Sequence, residues 1–394
     1  MEFREIAKKL GIDIYPEEFD TIYENLSDAP ACDMELIDRL QSEYDIFGEF
    51  YESVKQAAQM LNTDPVRSAW VKVASAYALD VPMKQAHDIP VAKTDGTLAG
   101  DFLPLFVMLP LIPVSIDDYK ARGFAGEELA NILKEYKISI RIVQRHTGRP
   151  GIEQIYYGWL MIFAKAEIFC TRGLQFQIYN LSKMALWLRN RQTGLLVPLM
   201  LRGEFHASGV QQVGSLGYED AEGSIIPDFL EDEQNFYGYG VFDNVMSTKR
   251  QTFAKSEWEC VGRPNDVCFN IHVPAGSDIS RETVMAACAD AKRIVAKRYP
   301  ELPEIRLVLG ISWLLNPKLK EIQGEQARTT QFMECFTKYP NRDPNGSSMI
   351  KFVFGKDYDD YNDLPENTSL QRKMKALYLS GSCLHKYTGV IYID

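Results

Sequence analysis

The chain has 394 residues, 46% hydrophobic and 25% charged, which is an ordinary globular balance and enough length for two cores. Its net charge of −11 argues against a general nucleic-acid binder, because neutralising phosphates takes clustered Lys and Arg, but leaves small phosphorylated ligands open. The seven cysteines are scattered and never fall in CxxC spacing, and the N-terminus lacks a basic-then-apolar leader, so neither disulfides, nor zinc, nor secretion is expected, and a cytoplasmic location is.

From Met1 to about Gly123 the pattern is helical. "DMELIDRLQSEYDIFGEFYESVKQAAQML" and "DPVRSAWVKVASAYAL" repeat apolar residues at spacings of three and four, interrupted at "NTDP" and "DGTLAGD". Residues 1–123 are therefore expected to form an all-helical N-terminal domain. The apolar run Phe102–Val114 falls short of the roughly 20 residues that cross a bilayer and carries three prolines, so it reads as a buried connection and no membrane contact is expected. "FAGEELANILKEYKISIRIVQRHTGRPG" predicts a further helix, with Leu129, Ile132, Leu133, Tyr136, Ile140 and Val143 on one face and Gly148 at its stop. A short helix near Ile152–Met161 follows.

The texture then changes to short strands. "AKAEIFC", "LQFQIYN", "KMALWLRN" and "LLVPLML" are separated by turn-like intervals, which predicts an antiparallel meander. Glu219–Asp243 holds eight acidic residues and no Lys or Arg, and reads as a loop or insertion within about 207–261. Beyond it, Cys268–Val273 is a strand and Arg281–Tyr299 a helix whose Val284, Ala287, Cys288, Ala291, Ile294 and Val295 share a face. "IRLVLGISWLL" is a second buried strand, followed by helical "NPKLKEI" and "EQARTTQFMECFTKY", strand-like "MIKFVFG", a helix in "LPENTSLQRKMKALYLSGSC" and a last strand "GVIYID".

Several stretches together carry a family resemblance: "HVPAGSDIS" before a helix, "SWLLNPKL" after the next strand, "LPENTSLQRKM" near the end, and upstream "TGRPG", "YGWL" and "RGLQFQ". The chain resembles a bacterial family of two-domain GNAT-like acyltransferases, in which an all-helical N-terminal domain precedes a GNAT-like C-terminal domain. The resemblance covers Phe124–Asp394 by motif, apart from Ala207–Val261, and Met1–Gly123 by helical character and position. It implies an α/β (α+β) fold, with residues 124–394 forming a mixed, mostly antiparallel sheet flanked by helices. It also implies an N-acyltransferase that uses acetyl-CoA or another acyl-CoA and no metal, its acceptor a small-molecule or peptide amine attacking the thioester directly in a ternary complex.

The site follows from the same stretch. A helix starting near Arg281 offers open N–H groups and a positive dipole end, and Gly276 permits close approach of an anion. The resemblance places CoA along Ile271, Val273, Ala275, Gly276, Ser277 and Ser280, with Asn316 touching it from the neighbouring strand end. Pro274 removes one donor and Gly276 is the lone glycine of the turn, so the plainer reading is an ordinary strand-to-helix connection capped by Ser280 or Asp278. His272, near the end of the first strand, reads either as a proton acceptor or as a hydrogen-bonded packing residue. Glu204 with His206 is a second choice for acid–base work, and the resemblance offers Tyr339 as a donor to the departing thiolate. The basic run Arg141, Arg145, His146 and Arg149 reads as phosphate-binding or as a solvated helix end, and Trp313 as a pocket wall or core. A different class of function is also open: a non-catalytic ligand-binding or interaction protein that retains the fold.

Overall fold

The computed structural model describes residues 2–92, 95–347 and 349–394. Contacts divide the chain into two compact units, Met1–Cys170 and Thr171–Asp394.

The first unit is helical from Phe3 to Ala164. Its longest helix, Pro65–Asp80, starts where the sequence signals: Asp64 accepts from Val66 N and Arg67 N at 2.9 and 3.0 Å, and Pro65 occupies the first turn, where its missing N–H costs nothing. It buries Trp70, Val71, Val73, Ala74, Tyr77 and Ala78. The apolar run from Phe102 becomes two helices, Leu103–Met108 and Leu111–Ala121, the first wholly buried and packed on Pro65–Asp80. Gly158 lets the helix Gln154–Ala164 close on Met83–His87, since a Cβ there would lie 2.5 Å from His87 Nε2. Tyr157 Oη donates to Ala86 O at 2.9 Å in the same seam. Among the described residues no helix is long and apolar enough to cross a membrane.

The second unit is built on two sheets. In chain order its strands are β1 (Ile168–Thr171, the segment in which the division falls), β2 (Leu174–Asn180), β3 (Ala185–Asn190), β4 (Leu196–Met200) and β5 (Leu230–Glu231). Then come β6 (Asn235–Phe242), β7 (Val245–Met246), β8 (Gln251–Ala254) and β9 (Trp258–Gly262). The last four are β10 (Val267–His272), β11 (Leu307–Ser312), β12 (Thr337–Pro340) and β13 (Tyr387–Tyr392). The first sheet runs β1-β2-β10-β11-β13-β12; the second runs β5-β6-β4-β3-β9, with β7 and β8 also on β6. Of the pairings with an assigned register, β10–β11 alone is parallel, as its long connection through the helix Arg281–Arg298 requires. Leu181, Trp187, Met200, Phe205, Cys268 and Tyr339 fill a core shared by strands of both sheets.

Four sequence expectations change here. The predicted meander is split: β3 and β4 form a hairpin in the second sheet, with Leu186 opposite Leu199, whereas β2 pairs with β10. Apolar alternation fixes which face of a strand is buried but not which sheet the strand joins. The acidic stretch 219–243 is not all loop, because it contains β5 and β6. Phe236 and Val241 turn inward, while Asp228 meets Arg250 at 3.3 Å and Glu231 meets Lys255 and Arg263 at 2.8 and 3.0 Å. These two carboxylates are paired with basic residues more distant in sequence. The helix expected through Tyr339 ends at Glu334, and Thr337–Pro340 becomes an edge strand on β13. "MIKFVFG" is a helix, Ile350–Phe354, because Met349, Ile350 and Phe354 share one buried side while Phe352 is 75% exposed.

Trp187, 2% exposed, packs its ring 5.9 Å from that of Tyr339 at the centre of the shared core. Trp187→Ala is expected to destabilise the second unit by about 3–5 kcal/mol, read as a lowered urea midpoint; a loss under about 1 kcal/mol would show that the two sheets do not depend on this contact.

Candidate functional site

The central feature is a gap between two neighbouring strands. β10 and β11 pair at Phe269–Val308 and Asn270–Leu309 and at no later position among the described residues. Each strand nevertheless continues, β10 alongside β2 as far as His272–Gln175, and β11 alongside β13 as far as Ser312–Tyr387. The outer neighbours hold both strands extended beyond that point, so Ile271 on β10 and Gly310 and Ile311 on β11 lie past the last position at which the two strands pair.

Past the wedge the chain turns at Pro274–Ser277. Ser277 N donates to Pro274 O at 3.1 Å, and Gly276 takes φ +83°, a left-handed conformation that other residues adopt at a cost. Ser277 Oγ donates to Gly173 O at 2.7 Å, tying the turn to the β1–β2 connection. Ala275 and Gly276 are exposed. Ser280 is the N-cap of the helix Arg281–Arg298, accepting from Thr283 N at 3.4 Å. Asp278 joins it: its carboxylate accepts from Ser280 N at 3.1 Å and from Thr283 Oγ1 at 2.7 Å. These bonds, Thr283's first, hold that carboxyl below its usual range, so an anion of the protein already stands at the positive end of the helix. Beside it lies a cleft of about 740 Å³ lined by Ser280, Arg281, Glu282, Lys320, Glu325 and Glu334, among others. Lys320 is held by Glu325 and Glu334 at 3.1 and 3.2 Å, Arg281 is exposed, and Arg328 stands 3.6 Å from Asp278.

His272 belongs to a polar group that the sequence reading did not single out. Asn270 and His272 share one face of β10, and opposite them on β2 stand Gln177 and Gln175, 3% and 4% exposed. His272 Nε2 lies 3.1 Å from Gln177 Oε1, and Asn270 Nδ2 donates to the same oxygen at 3.4 Å. Burial lowers the His272 imidazole to about 4, so it is neutral at pH 7. Gln177 escaped notice because its partners lie 93 and 95 residues away, and only the β2–β10 register joins them.

The remaining candidates are dispersed. Glu204 accepts from Ser224 Oγ at 2.5 Å, while His206 Nδ1 accepts from Ser208 Oγ at 2.7 Å, so the two side chains are bound to different partners. Tyr339 is 1% exposed in the core, and burial pushes its phenol up to about 12. Asn316 is buried with both ends of its amide engaged: Oδ1 accepts from Lys318 N and Nδ2 donates to His385 O, each at 3.0 Å. It ties the end of β11 to the start of β13. Trp313 packs on a second cluster containing Leu319, Met333 and Tyr378. In the first unit Arg141 makes a two-pronged pair with Glu49 and Arg149 pairs with Asp101, so both help to hold the helices together. Among the described residues no group of three or more His, Cys, Asp or Glu side chains is placed to hold a metal ion.

The His272 shift makes stability depend on pH. The folded pKa lies below the unfolded value near 6.5, so from pH 6.5 down to about 4 the unfolded chain binds the extra proton, and folding stability falls as pH falls through that window. Between pH 6.5 and 5 this amounts to about 2 kcal/mol. In His272→Gln that part of the pH dependence is expected to vanish from urea titrations; an unchanged slope would mean that burial does not shift the imidazole.

Residues 174–391, more than half of the chain, match the family described as the GNAT-like C-terminal domain. No curated protein matches. Among solved structures, the chain is similar to an acyltransferase in complex with decanoyl-CoA and teicoplanin, at 17% identity and a TM-score of 0.65. It is also similar to an acyltransferase mutant in complex with octanoyl-CoA, at 16% identity and a TM-score of 0.65, and to an acyltransferase in complex with decanoyl-CoA, at 14% and 0.64. Each likeness covers 100% of both chains, and at such identities it is a likeness of fold. With the wedge between β10 and β11 and the strand-turn-helix that follows it both inside the matched segment, the chain belongs to the GNAT-like C-terminal domain family.

Proposed function

We propose that this chain is an acyl-CoA-dependent N-acyltransferase whose pantetheine arm lies in the wedge between β10 and β11. The observation that carries the reading is the parallel ladder that stops at Asn270–Leu309 while both strands run on. An amide-bearing arm inserted there takes the place of the missing strand-to-strand bonds, just as a third strand would. The structural neighbours, bound to decanoyl- or octanoyl-CoA, support an acyl-CoA as the donor. The arm runs along Ile271 and Val273 toward the Pro274–Ser277 turn, and the pyrophosphate meets the N–H groups of Arg281 and Glu282 at the helix end, with Arg281 and Arg328 as counter-charges.

In the reaction an amine of a small molecule or peptide attacks the thioester carbonyl, the C–N bond forms, the C–S bond breaks, and CoA leaves as thiolate. The Val273 N–H polarises the carbonyl, and His272, neutral at working pH, takes the ammonium proton. One observation favours the alternative of a binding module without turnover: the Asp278 carboxylate occupies the helix end that a phosphate would use, so donor binding has to overcome or displace it.

Thermal shift with acetyl-, octanoyl- and decanoyl-CoA, followed by thiol release against a panel of amines, separates the readings. Stabilisation by an acyl-CoA and thiol release with at least one amine are expected. His272→Gln should keep the shift and lower turnover by roughly 10²- to 10⁴-fold. Gly276→Val, strained at φ +83°, should reduce the shift. Absence of a shift with every acyl-CoA would sink the acyltransferase reading; a shift without turnover on any amine would favour the binding module.

A further inference from the structure

β11 is an interior strand of the first sheet, between β10 and β13, and its residues from Leu307 to Gly310 are buried. The next residue is not. Ile311 is 43% exposed, although it stands within the strand and pairs with Thr388 of β13, itself 4% exposed. The register shows which face it belongs to. Side chains alternate along a strand, so Ile311 shares a face with Leu307 and Leu309, and the pairings Asn270–Leu309 and Leu309–Val390 put Cys268 and Val390 on that face too, the one covered by the shared core. On β11 that core stops at Leu309, yet on β12 it reaches Tyr339, the partner of Thr388. Ile311 is thus an uncovered apolar side chain beside the buried pair Thr388 and Tyr339. A lone exposed isoleucine on a loop needs no explanation, but one on an interior strand, at the edge of a packed core, marks a surface that an apolar group can complete. Its neighbour adds no competing polarity, since Thr388 Oγ1 donates to Asn341 Oδ1 at 2.8 Å.

We infer that Ile311 is the floor of an acyl subsite and that the donor it favours carries an alkyl chain longer than acetyl. The inference rests on the acyl-CoA reading above, in which the thioester carbonyl meets the Val273 N–H. Ile311 lies two positions past Leu309, as His272 lies two past its partner Asn270, and Val273 follows directly. A chain leaving that carbonyl therefore starts beside the exposed isoleucine. An acetyl donor brings a single methyl, which covers little of the side chain; a longer chain lies along it and removes both apolar surfaces from water. The competing occupant is an apolar part of the amine acceptor, and the measurements below tell the two apart.

Calorimetric titration of the full chain with CoA, acetyl-CoA and octanoyl-CoA reads the contribution of the chain as a ratio of Kd values, in which any change in binding of the CoA part cancels. The wild type is expected to bind octanoyl-CoA about tenfold or more tighter than acetyl-CoA. Ile311→Thr, polar but β-branched and suited to a strand, should cut that ratio about fivefold or more, while Ile311→Val should keep most of it. Urea midpoints near that of the wild type are expected for both, because the side chain is exposed; should Ile311→Thr fail to fold, the wild-type and Ile311→Val ratios still decide the matter. Equal affinity of the wild type for acetyl-CoA and octanoyl-CoA, or a ratio untouched by Ile311→Thr, overturns the assignment. So does an effect of Ile311→Thr confined to KM for the amine, which would place the acceptor there. If CoA and every acyl-CoA fail to bind, the acyl-CoA reading fails and this subsite falls with it; binding of CoA with no dependence on the chain leaves that reading standing and removes the subsite alone.

Discussion

The second unit depends on one parallel strand pair set among antiparallel neighbours. Because β10 and β11 run in the same direction, both end at the same edge of the sheet, and the chain needs the whole helix Arg281–Arg298 to return from one to the other. β2 and β13 then pull on the two strands from opposite sides. Each outer pairing is longer than the inner one, six positions of register on either side against two between β10 and β11. The inner ladder therefore yields first, and a wedge opens without leaving either strand unsupported.

Everything placed at that wedge inherits its geometry. The turn at Gly276 and the start of the following helix lie directly beyond the end of β10, and the β2 side chains stand in register with Asn270 and His272. The electrostatics of the described residues there are restrained. An imidazole is kept neutral by burial among amides, and a helix end is already balanced by Asp278. On the acyl-CoA reading proposed above, such a site relies on shape and backbone bonding more than on net charge, in keeping with a chain that is acidic as a whole.

The second sheet supports the first from behind. Leu181, Trp187, Met200 and Phe205 bring apolar bulk to Cys268, Leu309 and Val390, so the face of β10 that bears Asn270 and His272 at one end is anchored by Cys268 at the other. The acidic strands of that sheet remain compatible with a packed core because Phe236 and Val241 turn inward and Glu231 finds Lys255 and Arg263.

Local sequence was enough for much of this. The spacing of Val284, Ala287, Cys288, Ala291 and Val295 determined a helix with one buried side, Ser280 marked its start, and the motif stretches around "HVPAGSDIS" and "SWLLNP" pointed to the family. These signals are short-range: a helix needs partners within four residues and a cap within three. Only the tertiary structure decided that β2 pairs with β10 and not β3, that Glu219–Asp243 contributes strands, and that Thr337–Pro340 is an edge strand. The same limit applies at the site. His272 was visible as a histidine near a strand end, but its neutrality comes from burial and its contact with Gln177 joins residues 95 apart, and Asn316 was visible beside the second strand while its amide is committed to Lys318 and His385. Strand register and burial are collective properties of distant segments, and a residue's neighbours in sequence carry no record of them.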